Sequence, residues 1–188
     1  MTVDELKSLF LDYCQKDPAS TNKQLIGMEY ENFILVPKKH KHHSDLYPLP
    51  VHGDVSVNNV LENLVELSKD TSEHYEKIYE NNMLLALISP SGSKITIEPG
   101  GQFELSDAPR NSFLEVQNSF KEYLNLLKKS VSYFGGKLLF QGVQPLNSLD
   151  ELPFFPKNRY QIMFPHMLNT GLLGQWMMKA SAGIQVSI

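Results

Sequence analysis

Two glutamates placed two positions apart, Glu29 and Glu31, sit inside the apolar run Ile26-Gly27-Met28-Glu29-Tyr30-Glu31-Asn32-Phe33. Side chains alternate faces along a β-strand, so the two carboxylates enter one space while Met28 and Tyr30 take the other side. Like charges held this close raise each other's pKa unless a cation lies between them. On a water-washed face such a pair is bland; on a central strand it points to a metal or a charged substrate. A second segment, Ile97-Glu98-Pro99-Gly100-Gly101-Gln102-Phe103-Glu104-Leu105-Ser106, repeats the arrangement. Glu98, Gln102 and Glu104 have one parity, and Ile97, Phe103 and Leu105 the other. The diglycine fits a bulge or a close approach of backbone to a ligand, and fits a hairpin turn equally well. Four carboxylates on adjoining strands make an oxygen-only site, which suits hard divalent cations such as magnesium and disfavours soft metals. That many carboxylates would hold more than one ion, as nucleotide-using phosphoryl-transfer sites do.

Arg159, in Lys157-Asn158-Arg159-Tyr160-Gln161-Ile162-Met163, is the residue type that grips a carboxylate or phosphate bidentately. From spacing alone it reads equally well as a surface arginine at the start of a helix. In Ala182-Gly183-Ile184-Gln185-Val186-Ser187-Ile188 the apolar Ile184, Val186 and Ile188 share a face, leaving Gln185 and Ser187 on the other.

The elements that must position these residues follow from pattern. Thr2 and Glu5 form a capping box opening a helix toward Cys14, and Lys16 to Lys23 is a polar linker. Gln24–Val36 is strand, stopped by Pro37, and 37–54 is an irregular loop. Ser56 caps a helix carrying Val57, Val60, Leu61 and Leu64. A β-rich stretch follows: a turn at Asn81-Asn82, a strand Met83–Ile88, a turn Ser89–Ser93, a strand Lys94–Glu98 and another at Gln102–Ser106. The longest helix is expected over Asn111 to Phe134, with a stripe of Phe113, Val116, Phe120, Tyr123, Leu124, Leu127, Val131 and Phe134, and Gly135-Gly136 ending it. A strand at Lys137–Val143, a proline-rich loop, a helical region from Ile162 to Ser181 broken at Pro165, Gly171 and Gly174, and a last strand at 183–188 complete the reading.

The 188 residues suffice for one core, and the balance of 41% hydrophobic with 20% charged residues is that of a globular chain. A net charge of −4 gives no nucleic-acid footprint, and the short basic run from Lys38 to His43 reads as a solvated loop. One cysteine, Cys14, excludes an intrachain disulfide framework and reads as a buried thiol on a helix. The N-terminus has neither a signal-peptide pattern nor a long apolar run, so the expected location is the cytoplasm, with no membrane partner.

The segments Gly27–Phe33, Ile97–Ser106, Arg159–Met163 and Ala182–Val186 resemble, in order and spacing, the signature segments of plant-type glutamate–cysteine ligases, the string EPGGQFELS most specifically. The resemblance covers the chain from Gln24 onward. It implies an α+β chain, part of a glutamine-synthetase-like fold whose curved antiparallel sheet has helices on its outer face and binds ATP, Mg2+ and glutamate on the inner one. It implies that residues 1–188 are a single partial catalytic domain, the N-terminal part of a longer ligase, completed by a missing C-terminal half or a second chain. Glu29, Glu31, Glu98 and Glu104 map onto magnesium-facing carboxylates, and Gln185 onto a position that is histidine, facing a metal, in the distant proteobacterial branch. Gln102, Arg159 and Tyr160 map near the glutamate substrate, with Arg159 as the catalytic cation. The implied reaction joins the γ-carboxyl of glutamate to cysteine through an acyl phosphate, the first step of glutathione biosynthesis. Another γ-glutamyl or carboxylate–amine ligase, or a non-catalytic remnant, is the alternative.

Overall fold

The computed structural model describes residues 2–8, 25–37, 46–80 and 82–188. Residues 3–8 are helical, and the capping box is formed: Thr2 N donates to Glu5 Oε2 at 2.6 Å and Glu5 N to Thr2 Oγ1 at 3.2 Å. The expectations for Cys14, the Lys16–Lys23 linker, the basic run and Asn81 lie outside the described residues.

Among the described residues, eight strands form one antiparallel sheet around a long strand β1 (Gly27–Pro37). β2 (Leu46–Pro48), β3 (Glu76–Glu80), β4 (Met83–Ile88), β5 (Lys94–Ile97) and β6 (Phe103–Ser106) give the order β2-β1-β6-β5-β4-β3. The other side of β1 pairs with β7 (Lys137–Leu139) at Phe33–Leu35 and with β8 (Ile184–Ser187) at Gly27–Tyr30. β1 therefore has neighbours on both sides, which is why its run is so apolar. Val36 is 2% exposed and Ile34 2%.

Two helices close one face. α1 (Val57–Ser68) starts at Ser56, whose hydroxyl accepts from Asn59 N. α2 (Phe113–Tyr133) starts at Ser112, which accepts from Glu115 N, and ends where Gly135 turns at φ 71°. Val57, Val60, Leu61 and Leu64 of α1 and Tyr123, Leu127 and Val131 of α2 pack on Tyr30, Ile95, Phe103 and Leu105 of the sheet. The helices are tied by Ser130 Oγ donating to Val60 O at 3.2 Å. Among the described residues no helix is long and apolar enough to cross a membrane.

Several boundaries differ from the sequence pattern. Phe113, expected on the buried stripe, is the first residue of α2 and 71% exposed, and Leu126 is buried instead. The loop over 37–54 contains the short β2, recruited by pairing with Leu35–Pro37. The strand at Lys137 ends at Leu139; Val143 only bridges Ser181. Pro165 does not break its helix. α3 (Asn158–Met167) starts earlier than Ile162 and runs through Pro165, ending a turn later, and α4 (Gly174–Ala180) follows. The separation comes from the close packing of Gly174, where a Cβ would stand 2.7 Å from Met167 O.

α3 and α4 approach the opposite face of the sheet at the turn joining β5 to β6. There Glu98 N donates to Gln102 O at 2.8 Å and Gly101, at φ 80°, donates to Glu98 O at 2.9 Å. A Cβ on Gly100 would lie 1.9 Å from Lys179 O, so this glycine allows α4 to sit on the turn. Gly100→Ala must displace backbone, and we expect a loss of about 3 kcal/mol of unfolding free energy. Chemical denaturation of the two proteins measures it; a loss below about 0.5 kcal/mol, the usual scale of an inert surface change, contradicts the packing described.

Candidate active site

The register lays two rows of side chains across the open face of the sheet. One row runs Ile78, Ala86, Thr96, Glu104, Glu31 from β3 through β4, β5 and β6 to β1. The next runs Ile88, Lys94, Ser106, Glu29 and on to Gln185 of β8. Strand neighbours are only about 4.8 Å apart, so pairing Glu31 with Glu104 forces two carboxylates together. Glu98 follows β5 and has the parity of Thr96 and Glu104, so the hairpin turn keeps it on this face.

Oxygen atoms of Glu31, Glu98 and Glu104 all lie within 4.8 Å of one another. One oxygen of each is anchored by a donor. Gly183 N donates to Glu31 Oε2 at 2.9 Å, Thr96 Oγ1 to Glu104 Oε1 at 2.8 Å, and Tyr160 OH to Glu98 Oε1 at 2.9 Å. Glu29 lies one row away, outside the trio but near enough to act on its electrostatics. Burial raises the Glu31 carboxyl to about 7, opposed by the Gly183 amide and reinforced by Glu98, Glu104 and Glu29. Burial also raises Glu104, with the Thr96 hydroxyl pulling the other way and Glu98 and Glu29 adding to the rise.

Arg159 and Tyr160 act as a unit on α3. Arg159 Nη2 donates to Tyr160 OH at 2.6 Å and lies 3.4 Å from Glu98 Oε1, with its guanidinium 4.7 Å from the Tyr160 ring centre. Tyr160 is buried and the Arg159 side chain is 62% exposed, so an anchored stem presents a cation to the open space. Gln102, 2% exposed, is fully engaged with backbone: Oε1 accepts from Gly100 N, and Nε2 donates to Met178 O and Ser181 O. It fixes the turn against the end of α4.

Two clefts meet at this cluster. The first, about 470 Å³, is lined by Glu31, Glu98, Gln102, Arg159, Tyr160 and Gln185, with Met163, Met177 and Met178 forming an apolar wall. The second, about 570 Å³, contains Glu104 and shares Arg159 with the first. Of the residues singled out from sequence, only Glu29 lines neither.

Three participants were not singled out. Thr96 had a visible signal, the parity it shares with Glu98. Lys157 stood in a quoted segment without a role; it is half-buried, and burial holds its ammonium below the usual lysine range against the pull of Glu98 and Glu104. The Gly183 amide carried no signal, since a backbone donor leaves none in residue type.

The donor set, oxygen-only and crowded enough to raise a carboxyl to about 7, fits a hard divalent cation. Glu31, Glu98 and Glu104 would hold it.

Residues 25–188 match the family model for Glutamate-cysteine ligase family 2 (GCS2). Among similar proteins, the chloroplastic glutamate–cysteine ligase of Solanum lycopersicum is 29% identical, covering 100% of this chain and 32% of that protein. That of Medicago truncatula is 29% identical over 97% of this chain and 33% of its own length. The chloroplastic glutamate–cysteine ligase of Nicotiana tabacum is 34% identical over 68% and 24%. The chain thus spans at most about a third of the length of these curated relatives.

The raised Glu31 carboxyl sets a pH dependence. A folded-state pKa of about 7 against 4.5 unfolded means the folded chain holds this proton more tightly. Its contribution to stability is fully present below pH 4.5 and is lost as pH rises through 7. A divalent cation takes the deprotonated form, so Mg2+ at about ten times its Kd should raise Tm by about 3–5 °C at pH 8 and by less at pH 5.5. Glu31→Gln should remove most of the difference. Thermal melts test this, and equal Mg2+ shifts at both pH values would contradict it.

Proposed function

The chain belongs to glutamate-cysteine ligase family 2, and from that premise we propose that it is the metal- and substrate-facing, N-terminal part of an ATP-dependent ligase that joins the γ-carboxyl of glutamate to the amine of cysteine. The observation that carries the reading is the convergence of Glu31, Glu98 and Glu104 beside the tyrosine-anchored Arg159. In this reaction a γ-carboxylate oxygen of glutamate bonds to the terminal phosphorus of ATP as the bond to the β,γ-bridging oxygen breaks and ADP leaves. The cysteine amine then attacks the acyl carbon, the carbon–oxygen bond breaks, phosphate departs and the amine loses a proton. No protein nucleophile is needed.

Magnesium, when bound, supplies charge neutralisation for the phosphates. The chain's own residues supply position. Glu31 and Glu104, on strands whose register fixes their spacing, and Glu98, at the turn after β5, would hold the cation, with Glu29 and Gln185 in the adjacent row. Arg159 pairs with a carboxylate of glutamate, and Tyr160 sets its guanidinium, reducing the motion lost on binding. Gln102 keeps the floor of the first cleft in place through its three backbone bonds.

All four residues of β8 are exposed, and its outer edge has no charged residue, unlike β3 with Glu76, Lys77 and Glu80. Together with the one-third coverage, this supports completion of the site by a further portion of a longer ligase or by a second chain. One cysteine in the chain supports a reducing compartment, the cytoplasm in the sequence reading; the plant relatives are named as chloroplastic proteins.

In the full-length ligase, Glu98→Gln should lower kcat at least about 100-fold, since it removes a ligand charge at nearly constant volume. Arg159→Lys should raise KM for glutamate about tenfold, because an ammonium cannot reproduce the bidentate fork. Steady-state assays of cysteine-stimulated ADP release check both. Near-normal turnover of Glu98→Gln would remove the metal role, and no stimulation by cysteine in the wild type would remove the ligase assignment.

A further inference from the structure

Asn32 is the polar exception on the helix-facing side of β1. Parity groups it with Met28, Tyr30, Ile34 and Val36, and pairing sets it opposite Phe103 of β6. It is 1% exposed, and among the described residues nothing hydrogen-bonds to its Oδ1 or its Nδ2. On α2, Tyr123 is also 1% exposed, and its hydroxyl is equally without a protein partner among the described residues. A buried donor or acceptor left bare costs the full desolvation of the group, so three such atoms in one core need an account. The neighbouring core has no other polar atom to offer them: Ile95, Phe103, Leu105 and Leu127 close it.

The two residues belong to one place because α2 runs alongside β1. Phe120 meets Tyr30 edge-on, with ring centres 4.8 Å apart. Farther along, a Cβ on Gly136 would stand 2.9 Å from Val131 Cγ1 and 3.1 Å from Val36 Cγ1, so the last turn of α2 lies at Val36. Between those two points the helix advances about 17 Å and the strand about 20 Å, nearly in step. Tyr123, one turn after Phe120, therefore stands over the stretch of β1 where Asn32 follows Tyr30 on the same face. Burial raises the Tyr123 phenol, and Tyr75, Tyr30 and Glu104 add to the rise, which sets the hydroxyl on the sheet side of the helix. A carboxamide and a phenol that face one core without bonding each other are the polar walls of a water site. Water both gives and takes hydrogen bonds, so it can serve all three atoms.

We propose that Asn32 and Tyr123 hold ordered water between β1 and α2, and that this polar bridge makes Asn32 a positioning residue for Glu31, a role that rests on Glu31 being a metal ligand. The rest of that strand face is Met28, Tyr30, Ile34 and Val36, which could slide along α2 at little cost. A slide of one residue turns the whole set of side chains to the other face, Glu31 included. A smaller shift draws its carboxylate away from Glu98 and Glu104. The bridge is satisfied at one register alone, as a single buried asparagine fixes the register of paired helices.

The test combines thermal melts with Mn2+ titration of the full chain. Tyr123→Phe tells a bare hydroxyl from a bridged one by sign. Removing a bare hydroxyl raises Tm; removing a bridged one strands the water and Asn32, and should lower Tm by about 3 °C. Asn32→Leu should cost a similar amount. The double change Asn32→Leu/Tyr123→Phe leaves nothing polar to satisfy and should return to within about 2 °C of wild type. In that double variant, of native stability, Mn2+ should bind about tenfold more weakly although no ligand has been removed. If Asn32→Leu fails to fold, Tyr123→Phe still decides the water by its sign, and a Mn2+ affinity about threefold lower decides the positioning role. A Tm raised by Tyr123→Phe, or single effects that merely add, overturns the bridge. Native Mn2+ affinity in the double variant overturns the positioning role. Wild-type protein that binds no Mn2+ removes the metal reading and that role together, while the melts still judge the water.

Discussion

Three half-buried carboxylates held within 4.8 Å of one another are the constraint around which the rest of the molecule is organised. At an effective dielectric near 20, each ionised pair at that separation repels by about 3 kcal/mol, a sum comparable with the whole stability of a small domain. Such a cluster must hold a proton or a cation. The donors around it (the Gly183 amide, the Thr96 hydroxyl and the Tyr160 hydroxyl) each anchor one oxygen, and the one cation paired with it among the described residues is Arg159, 3.4 Å from Glu98 Oε1, against three carboxylates. The structure orients the carboxylates and pairs only Glu98 of the three with a guanidinium.

Asp107 shows the contrast within the same sheet. It is buried and would be raised by burial alone, yet Arg110, Ser93 and Ser119 hold its carboxyl below the usual range. Arg110 Nη2 lies 2.8 Å from Asp107 Oδ1, and both serine hydroxyls donate to that oxygen at 2.7 Å. This carboxylate is fully partnered and locks the β4–β5 turn to the start of α2. One chain therefore treats carboxylates in two ways: ringed by a guanidinium and two hydroxyls at Asp107, and gathered with their own kind at Glu31, Glu98 and Glu104.

Much of this was legible in sequence because strands expose their logic through parity. The pairs Glu29/Glu31 and Glu98/Glu104 could be assigned to one face before any register was known, and the caps at Ser56 and Gly135 marked helix ends by residue type. What stayed hidden depended on contacts between distant segments. Pro165 reads as a breaker in isolation, while the close approach of Gly174 to Met167 sets the real boundary. Gly100 reads as turn chemistry, and only the position of Lys179 O reveals that a side chain there would collide with α4. The division of the open face into two clefts, with Lys157 between rings over the second, follows from the landing point of α3. No local pattern encodes that point.

The most direct test of the central claim is Mn2+ binding followed by electron paramagnetic resonance, with Mg2+ as competitor. The wild-type protein should bind Mn2+ saturably and release it to Mg2+, and Glu31→Gln/Glu104→Gln should lose that binding while keeping the wild-type far-ultraviolet circular dichroism. Manganese binding unchanged by removal of those two carboxylates, or absent from the folded wild-type protein, would contradict it.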